Sequence, residues 1–509
     1  MRKSVSGENY YIVDDDIHTL CIGATRSGKT RSVVLQSIGV QALGGESMIM
    51  SDPKSELYNY TKPFLERLGY DVIPLDFKNP LKSRRYNFLQ NVIEAFHEKN
   101  VAKAIDFTWD ITEALVGNKS KEPIWDDGTK SIIASGILSV VYDNMDKPQY
   151  QNLTNVYFFL SEMCRTVNNQ MPINRYLKQI PSDHPAKALL GISEVAPSKT
   201  RGSFFTAALT TLRLFTNPLI YSMTCATDFD YRATGKDKQA IFLILPDEKE
   251  TYYTLASLFT SQHYETLVTE ADKRGGRLER RVNFNLDEFG NYAQIPAFST
   301  KLTVGGGRGC RFNLYIQSLS QLDEKYDKEN AKTIKSNCQC WIYLKSDELE
   351  TLEEISKKLG NYTVATNSRS SSYSYRSSSS ESASVNLTAR ALLTPDEVRM
   401  IDRPYSLVIS REHPCMMYAP DISKTIFNKL FGMGGKEHNR QLQQRRGEKR
   451  KQRSGDIQME LWGIWNKYNG SMDKLVADFT EDGILKEKMF EKRRRIIHER
   501  SYEEDKTKD

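Results

Sequence analysis

Residues 23–30 read GATRSGKT, and this stretch determines how the rest of the sequence is interpreted. It matches the pattern GxxxxGK[ST], in which the glycines let the backbone curl so that its N–H groups point at a phosphate. An apolar run, TLCI, precedes it, and a helical pattern, TRSVVLQSIG, follows it. This is the strand, loop and helix context that such a loop requires, so the sequence predicts a P-loop nucleotide-binding site.

Each position of this loop is a candidate nucleotide contact. Lys29 can reach the β- and γ-phosphates of ATP, and Thr30 can offer its hydroxyl to Mg²⁺. The alternative is a chance match to the pattern, which the flanking strand and helix disfavour. The candidate cofactor-binding residues are Gly23, Ala24, Thr25, Arg26, Ser27, Gly28, Lys29 and Thr30.

Short apolar runs that alternate with helical patterns, such as residues 29–43 and 55–69, predict an α/β fold with a mostly parallel sheet. Helical periodicity replaces this alternation from about 95 to 225. We therefore expect one nucleotide-binding domain that is interrupted by an all-helical domain. The predicted strands are 18–23, 47–52, 71–77, 240–247, 282–290, 311–318, 340–346 and 406–412.

These patterns give four segments. Residues 1–94 and 226–431 form the two parts of the nucleotide-binding domain, and residues 95–225 form the helical domain. Residues 432–509 are predicted to be a basic linker followed by a helical C-terminal tail. Within the second part, the serine-rich stretch 367–384 has too little apolar surface to fold alone, which indicates a solvent loop or an extended β-ribbon.

The composition is that of a globular protein of more than one domain: 509 residues, 39% hydrophobic and 27% charged. Seven irregularly spaced cysteines indicate reduced thiols rather than a disulfide framework. No apolar run approaches the roughly 20 residues that span a bilayer, so we expect this polypeptide to be soluble. The net charge is +6, and basic residues cluster at 440–453 and 492–495. Such clusters are either solvated faces or tails, or contacts with nucleic acid or a secretion substrate.

Two acidic residues, Asp287 and Glu288, end the predicted strand VNFNLDEF. Ligands bind at the carboxyl ends of strands in α/β sheets, so Asp287 is a candidate Mg²⁺ ligand and Glu288 a candidate general base for the attacking water. The alternative is an ordinary solvated strand end. Asn283 and Asn285 make this strand more polar than a central parallel strand usually is.

Three further side chains are candidates for catalysis. Gln317, at the end of RFNLYIQS, can orient the attacking water or sense the γ-phosphate. Arg308 lies in GGGRGCR, which we interpret as a glycine-rich loop, and can reach the γ-phosphate of a neighbouring subunit as an arginine finger. Arg311 is the competing candidate, and an ordinary surface arginine is the alternative for both.

The order of these motifs resembles the type IV coupling protein family, the hexameric ATPases of conjugation and type IV secretion. The resemblance covers roughly residues 15–430. Its more specific parts are SDPKSELY (51–58) and QSLSQLDEKY (317–326), with WDDG, LGNYTV and ALLTPDEV in the expected order. It implies a RecA-like motor domain that carries an all-helical domain. It also implies that Asp52 and Lys54, in the family's DPK motif, lie near the nucleotide.

The resemblance further implies ATP and Mg²⁺ as cofactors and a homo-hexamer as the assembled state. The expected partners are DNA, bound largely without sequence preference, a relaxase or other secretion substrate, and components of the secretion channel. Members usually begin with transmembrane helices, so we expect this chain to work at the cytoplasmic face of the bacterial cell membrane, anchored by a missing N-terminus or a partner. The competing functions are a receptor that uses nucleotide only as a switch, and a related hexameric DNA translocase.

Overall fold

A computed structural model describes most of the chain. The described residues are 2–5, 8–117, 120, 122–164, 172–173, 176, 180–189, 196–246, 248–249, 251–372, 380–411 and 413–462. The predicted basic cluster 492–495 and most of the predicted C-terminal tail lie outside them.

Thirteen strands are found in the described residues, and nine of them form one sheet with the order β13-β12-β9-β3-β8-β7-β4-β6-β5. The strands are β1 (Arg2–Val5), β2 (Glu8–Tyr11), β3 (Thr19–Gly23), β4 (Ser47–Ser51), β5 (Asp71–Asp76), β6 (Gln239–Ile244), β7 (Val282–Leu286), β8 (Cys310–Ile316), β9 (Cys340–Lys345), β10 (Asn361–Ser372), β11 (Ser380–Ala391), β12 (Tyr405–Ile409) and β13 (Cys415–Tyr418).

The sheet is mostly parallel. Strand β3 pairs in parallel with β8 and β9, β7 with β8, and β5 with β6, whereas β12 runs antiparallel to β9 and β13. All eight predicted strands are present and differ from the prediction only at their ends. The α/β fold class is therefore confirmed.

Helices follow the strands and fill the region between β5 and β6. They are α1 (Leu35–Leu43), α2 (Glu56–Arg67), α3 (Gln90–His97), α4 (Val101–Val116), α5 (Pro123–Asp143), α6 (Leu153–Met163), α7 (Ala186–Leu189), α8 (Ser198–Leu212), α9 (Pro218–Thr224), α10 (Thr251–Asp272), α11 (Phe298–Arg308), α12 (Ser320–Asn337), α13 (Leu349–Leu359), α14 (Pro395–Arg399), α15 (Ile426–Leu430) and α16 (Lys436–Glu448). Among the described residues, none of these helices has both the length and the apolar character that a bilayer span requires.

The chain divides into two compact units. Among the described residues, unit 1 contains those within 1–48, 281–290 and 299–439, and unit 2 contains those within 49–280, 291–298 and 440–462. In unit 1 the centre of β3 is fully buried, and its Leu20 lies opposite Leu314 of β8 and Trp341 of β9. Because these strands are parallel, the loops that follow them meet at one edge of the sheet.

The helical part of unit 2 is built around α5, which packs against α4, α6 and α8. Asn100 caps α4 by accepting a hydrogen bond from the Lys103 amide. Gly128, in the WDDG motif, allows α5 to approach α8, because a Cβ at this position would lie 2.5 Å from the ring of Phe204. The described residues between 90 and 224 contain no strand. The limits that we gave to the helical domain stay a prediction.

The serine-rich stretch belongs to a two-stranded ribbon in unit 1. Strands β10 and β11 pair antiparallel from Asn361 opposite Ala391 to Ser372 opposite Ser380, and residues 373–379 lie outside the described part. Apolar side chains in the middle of the ribbon, such as Val385 and Leu387, are exposed. Of the two interpretations of this stretch, the structure therefore shows the β-ribbon.

Residues 446–462, which we call the C-terminal strap, are bound to unit 2 rather than free. Arg446 donates to the carbonyl oxygens of Asn59 and Tyr60, and Arg450 forms a buried ion pair with Asp76 at 2.5 Å. Trp462, the last described residue of the chain, stacks its ring on that of Phe159. The solvent or nucleic-acid roles considered for the 440–453 cluster therefore do not apply to these inward-facing arginines. The cluster is a helix and a docked segment instead of a linker.

Candidate nucleotide-binding site

The loop 23–30 curls at the carboxyl end of β3 in unit 1. Gly28 has φ 92° and Arg26 has φ 67°, both in the left-handed region. A Cβ at Gly23 would lie 2.5 Å from Ser27 Oγ, so a larger residue there would force the Ser27 hydroxyl to move. The Ala24 amide donates to the Lys345 carbonyl oxygen at 2.8 Å, which ties the loop to the end of β9. The glycines thus permit the curl that the sequence pattern predicts.

Lys29 points into the space that the loop encloses. Its ammonium donates to the carbonyl oxygens of Gly23 and Ile316, each at 3.2 Å, and lies 3.9 Å from Glu288 Oε1. The side chain is only 7% exposed. Thr30 begins the helical segment that continues into α1, so the loop leads directly into a helix N-terminus. A buried ammonium held mainly by carbonyl oxygens is suited to receive an anion.

The acidic pair and Gln317 meet the loop at this edge. Gln317 Nε2 donates to Glu288 Oε2 at 3.0 Å, and Thr25 Oγ1 donates to Gln317 Oε1 at 3.1 Å. Asp287 follows directly on β7 and is buried. The structure thus brings together Thr25, Lys29, Glu288 and Gln317, which are separated by up to 292 positions in the sequence.

Glu288 occupies a backbone conformation that a residue with a side chain rarely adopts, with φ 52°. Its amide donates to the carboxylate of Asp287 at 3.1 Å, which helps to hold this turn. Strained backbone of this kind concentrates at functional sites, where the surrounding structure maintains it. The conformation supports a chemical role for Glu288, which stays a prediction.

The residues present fit a nucleotide phosphate and its metal ion. The hydroxyl of Ser27 is buried and has no hydrogen-bond partner in the part of the chain that the structure describes. A buried polar atom without a partner is costly, and a phosphate oxygen would satisfy it. Carboxylate and hydroxyl oxygens are the ligands that Mg²⁺ prefers, and Asp287 and Thr30 would supply them.

Two arginine contacts at this site were missed in the sequence. Arg403 donates from Nε to the Ser27 carbonyl oxygen at 2.7 Å and from Nη2 to that of Arg26. Arg31, just after the loop, forms a bidentate pair with Asp421 at 2.6 and 2.7 Å, and this pair holds the pKa of the Asp421 carboxyl well below its usual range. No local pattern reveals contacts across 376 and 390 positions.

Asp52 and Lys54 belong to unit 2. The Asp52 carboxylate accepts a hydrogen bond from the Tyr58 amide at 2.8 Å, in the first turn of α2, and is almost fully buried. Lys54 is exposed. This gives Asp52 a structural role at the start of a helix, while the predicted nearness of both residues to the nucleotide stays a prediction.

The two candidate finger arginines lie at the amino end of β8, away from Lys29. Arg308 does not lie in a loop as predicted: it ends α11, whose glycine at 306 permits close packing, because a Cβ there would lie 2.4 Å from the Asp16 carbonyl oxygen. Arg311 is largely buried, with its side chain 12% exposed, and forms an ion pair with Glu46. A buried arginine that is already paired is poorly suited to reach another chain.

The polar character of β7 has a local explanation in the same region. Asn283 Nδ2 donates to Glu46 Oε2 at 2.7 Å, and Asn285 Nδ2 donates to Gln41 Oε1 at 2.8 Å. Arg281 also pairs with Glu46, at 2.8 Å. The asparagines therefore belong to a buried polar network and do not argue against a central strand.

The sequence of the chain is similar to those of known proteins. The family model described as type IV secretory system conjugative DNA transfer matches residues 2–419. Protein VirD4 of Rhizobium radiobacter is 25% identical over 442 residues, which cover 83% of this chain and 60% of that protein. The type IV secretion system-coupling protein VirD4 of Bartonella henselae is 22% identical, over 72% of this chain and 57% of that protein. The chain thus spans less than two thirds of the length of these relatives.

A solved structure shows a similar fold. The plasmid coupling protein TrwB in complex with ADP and Mg²⁺ matches with a TM-score of 0.60 and 16% sequence identity, over 82% of this chain and 88% of that one.

Proposed function

The chain belongs to the type IV secretory system conjugative DNA transfer family, and from this premise we propose that it is an ATP-hydrolysing coupling protein. In this role it recruits DNA with its attached relaxase, or another secretion substrate, and drives transfer to a type IV secretion channel. It acts as a hexamer at the cytoplasmic face of the bacterial cell membrane. The observation that carries the proposal is the contact of Glu288 with both Lys29 and Gln317 beside a P-loop.

These contacts support distinct roles for the residues. Lys29 and the amides of the loop bind the phosphates, while Thr30 and Asp287 hold Mg²⁺, which neutralises phosphate charge. Glu288 accepts the proton of the attacking water, and Gln317, held between Glu288 and Thr25, orients that water. Lys29 and Gln317 both contact Glu288, which keeps the three side chains together at the site.

The finger arginine of the proposed assembly is assigned to Arg308 in preference to Arg311. Arg308 is half-buried at a helix end, whereas the Arg311 side chain is largely enclosed. Six residues of β8 extend from Arg311 to the carboxyl end of the strand, where Lys29 lies, and they span about 20 Å. This separation supports a role of Arg308 at the site of another chain.

Steady-state ATP hydrolysis by the purified chain tests the proposal. It is measured with and without single-stranded and double-stranded DNA, at low and moderate salt and over a range of protein concentrations. We expect DNA to stimulate hydrolysis, the stimulation to grow with protein concentration, and salt to weaken it because DNA phosphates are neutralised by basic side chains. Nucleotide binding without turnover under every condition would instead support the nucleotide-switched receptor.

Two variants test the site itself. Lys29→Ala should reduce hydrolysis by about 100-fold or more because it removes the phosphate clamp, and Glu288→Gln should reduce it similarly while ATP still binds. Binding is followed with a fluorescent ATP analogue. The matched controls are Lys357→Ala and Glu350→Gln, both exposed positions on α13. Normal turnover in either site variant would refute the assignment.

A further inference from the structure

Arg403 contacts the P-loop from a segment 376 positions further along the chain. Its guanidinium donates two hydrogen bonds to consecutive carbonyl oxygens, those of Arg26 and Ser27. The planar fork of an arginine is suited to bind two acceptors at once, which a lysine ammonium does not do with the same geometry. The contact is made to backbone, so it does not depend on which side chains the loop carries.

The direction of these carbonyl groups decides where the neighbouring amides point. In a trans peptide the C=O and the following N–H lie on opposite sides of the chain. A carbonyl of Ser27 that is held by Arg403 therefore directs the Gly28 N–H away from Arg403 and toward the interior of the loop. In the same way the Arg26 carbonyl fixes the Ser27 amide, which donates to the Ala24 carbonyl oxygen at 3.0 Å.

Two further observations show that the guanidinium is part of the loop's structure. A Cβ at Gly28 would lie 2.9 Å from Cζ of Arg403, so the guanidinium packs directly on this glycine. Arg26, whose carbonyl Arg403 binds, has a left-handed backbone conformation that is unfavourable without support. The contact thus stabilises the conformation at the point where the loop is most strained.

The segment that carries Arg403 is also tied to the end of β9. Asp402 accepts a hydrogen bond from the Arg403 amide at 2.8 Å and pairs with Lys345 Nζ at 3.2 Å. The carbonyl oxygen of Lys345 in turn accepts the Ala24 amide. The end of β9, the loop and residues 402–403 therefore form a closed circuit of contacts.

We propose that Arg403 is a positioning residue of the nucleotide site, which fixes the P-loop backbone so that the Gly28 amide faces the phosphates, without itself touching the nucleotide. The inference rests on the proposed nucleotide binding. It assigns to the segment before β12 a part in phosphate recognition.

The test is the equilibrium affinity of the full chain for a fluorescent ATP analogue, compared among the wild type, Arg403→Ala and Arg403→Lys. Loss of two hydrogen bonds should weaken binding by about tenfold or more in Arg403→Ala, with a smaller loss in Arg403→Lys. Guanidinium ion at low millimolar concentration should partly restore the affinity of Arg403→Ala. The matched control is Arg399→Ala, whose exposed side chain pairs with Asp347 and which should bind as the wild type does.

Thermal unfolding without nucleotide separates positioning from misfolding. We expect Arg403→Ala to unfold close to the wild-type temperature but to gain less stability when nucleotide is added. Unchanged or tighter nucleotide binding in Arg403→Ala would overturn the inference, as would a loss that guanidinium does not restore and that accompanies a lower unfolding temperature. If the wild type binds no nucleotide, both this inference and the proposed function fail. If the wild type binds nucleotide and Arg403→Ala binds it equally well, only this inference fails and the proposed function stands.

Discussion

At the scale of single residues, His263 shows how burial makes stability depend on pH. It lies in α10, where Nε2 is 3.0 Å from Thr234 Oγ1. Because the Thr234 hydroxyl donates to Gln239 Oε1, the imidazole is the donor in this contact. Nδ1 has no partner within the described residues. Burial lowers the pKa of His263 to about 3, so the folded protein keeps this ring neutral.

We predict that His263→Gln makes stability less dependent on pH. In the unfolded chain the histidine takes up a proton near its ordinary pKa of about 6.5, whereas in the folded protein the ring stays neutral. Its contribution to the unfolding free energy is therefore fully present above about pH 6.5 and is lost as the pH falls towards 3. Between about pH 7 and pH 5 the wild type should lose about 2 kcal/mol more unfolding free energy than the variant. Denaturant unfolding at both pH values measures this. His97→Gln, at an exposed position, is the control, and equal losses in the wild type and His263→Gln would contradict the prediction.

The same scale shows what sequence could and could not reveal about the site. GATRSGKT, Asp287, Glu288 and Gln317 were found because each follows an apolar strand, and parallel strands bring their ends to one edge. Arg403 and Asp421 were not found, because an isolated arginine or aspartate in a turn has no pattern of its own. Their partners are determined only by the tertiary fold.

At the scale of elements, the C-terminal strap depends on one buried ion pair. Arg450 and Asp76 are 7% and 0% exposed, and the Arg450 guanidinium also lies 4.8 Å from the centre of the Tyr58 ring. Removing one partner of such a pair leaves a buried charge without compensation. The strap therefore contributes to unit 2 through burial as well as through charge.

We predict that Arg450→Ala lowers the unfolding free energy of unit 2 by about 3–5 kcal/mol. Replacing both Arg450 and Asp76 by alanine should cost less than the sum of the single changes, since neither charge is then left alone. Denaturant unfolding gives these values. Arg445→Ala, at an exposed position of α16, should change stability by no more than about 0.5 kcal/mol. A similar small effect of Arg450→Ala would show that the strap is not held in this way.

Some helices and strands could be predicted from the sequence better than others, and the reason is physical. Strands such as β3 and β6 are buried on both faces and appear as continuous apolar runs. In contrast, VGGGR at 304–308 has the composition of a loop but ends a helix, in which Gly306 permits close packing against the Asp16 carbonyl oxygen. The strap has the composition of a solvated tail, yet several of its arginines bind carbonyl oxygens and a buried carboxylate.

At the scale of the whole molecule, the order of motifs in the sequence predicted the family. The proposed hexamer can be tested by mixing chains that carry different substitutions. Arg308→Ala should be inactive alone, and so should Lys29→Ala. In an equal mixture, about one quarter of the sites would combine an intact P-loop with an intact arginine from the neighbouring chain, so ATP hydrolysis should partly return.

The control mixture is Lys29→Ala with Glu288→Gln. Lys29 and Glu288 both belong to the site that each chain forms by itself. A neighbouring subunit therefore cannot supply the missing side chain, and hydrolysis should stay low. Recovery is measured as the ATPase rate against the mixing ratio. If Arg308→Ala chains assemble with Lys29→Ala chains and no activity returns, Arg308 does not act across subunits.

The contact of Arg403 with the P-loop also determines when the nucleotide site can be completed during synthesis. The P-loop precedes the arginine that holds the Ser27 carbonyl oxygen by 376 positions in the chain. At about 5–20 residues per second, the ribosome adds Arg403 roughly 20 to 75 seconds after the loop. Gln317 and Asp421 are also absent at first. The nucleotide site is therefore completed only well after its signature sequence has been synthesised.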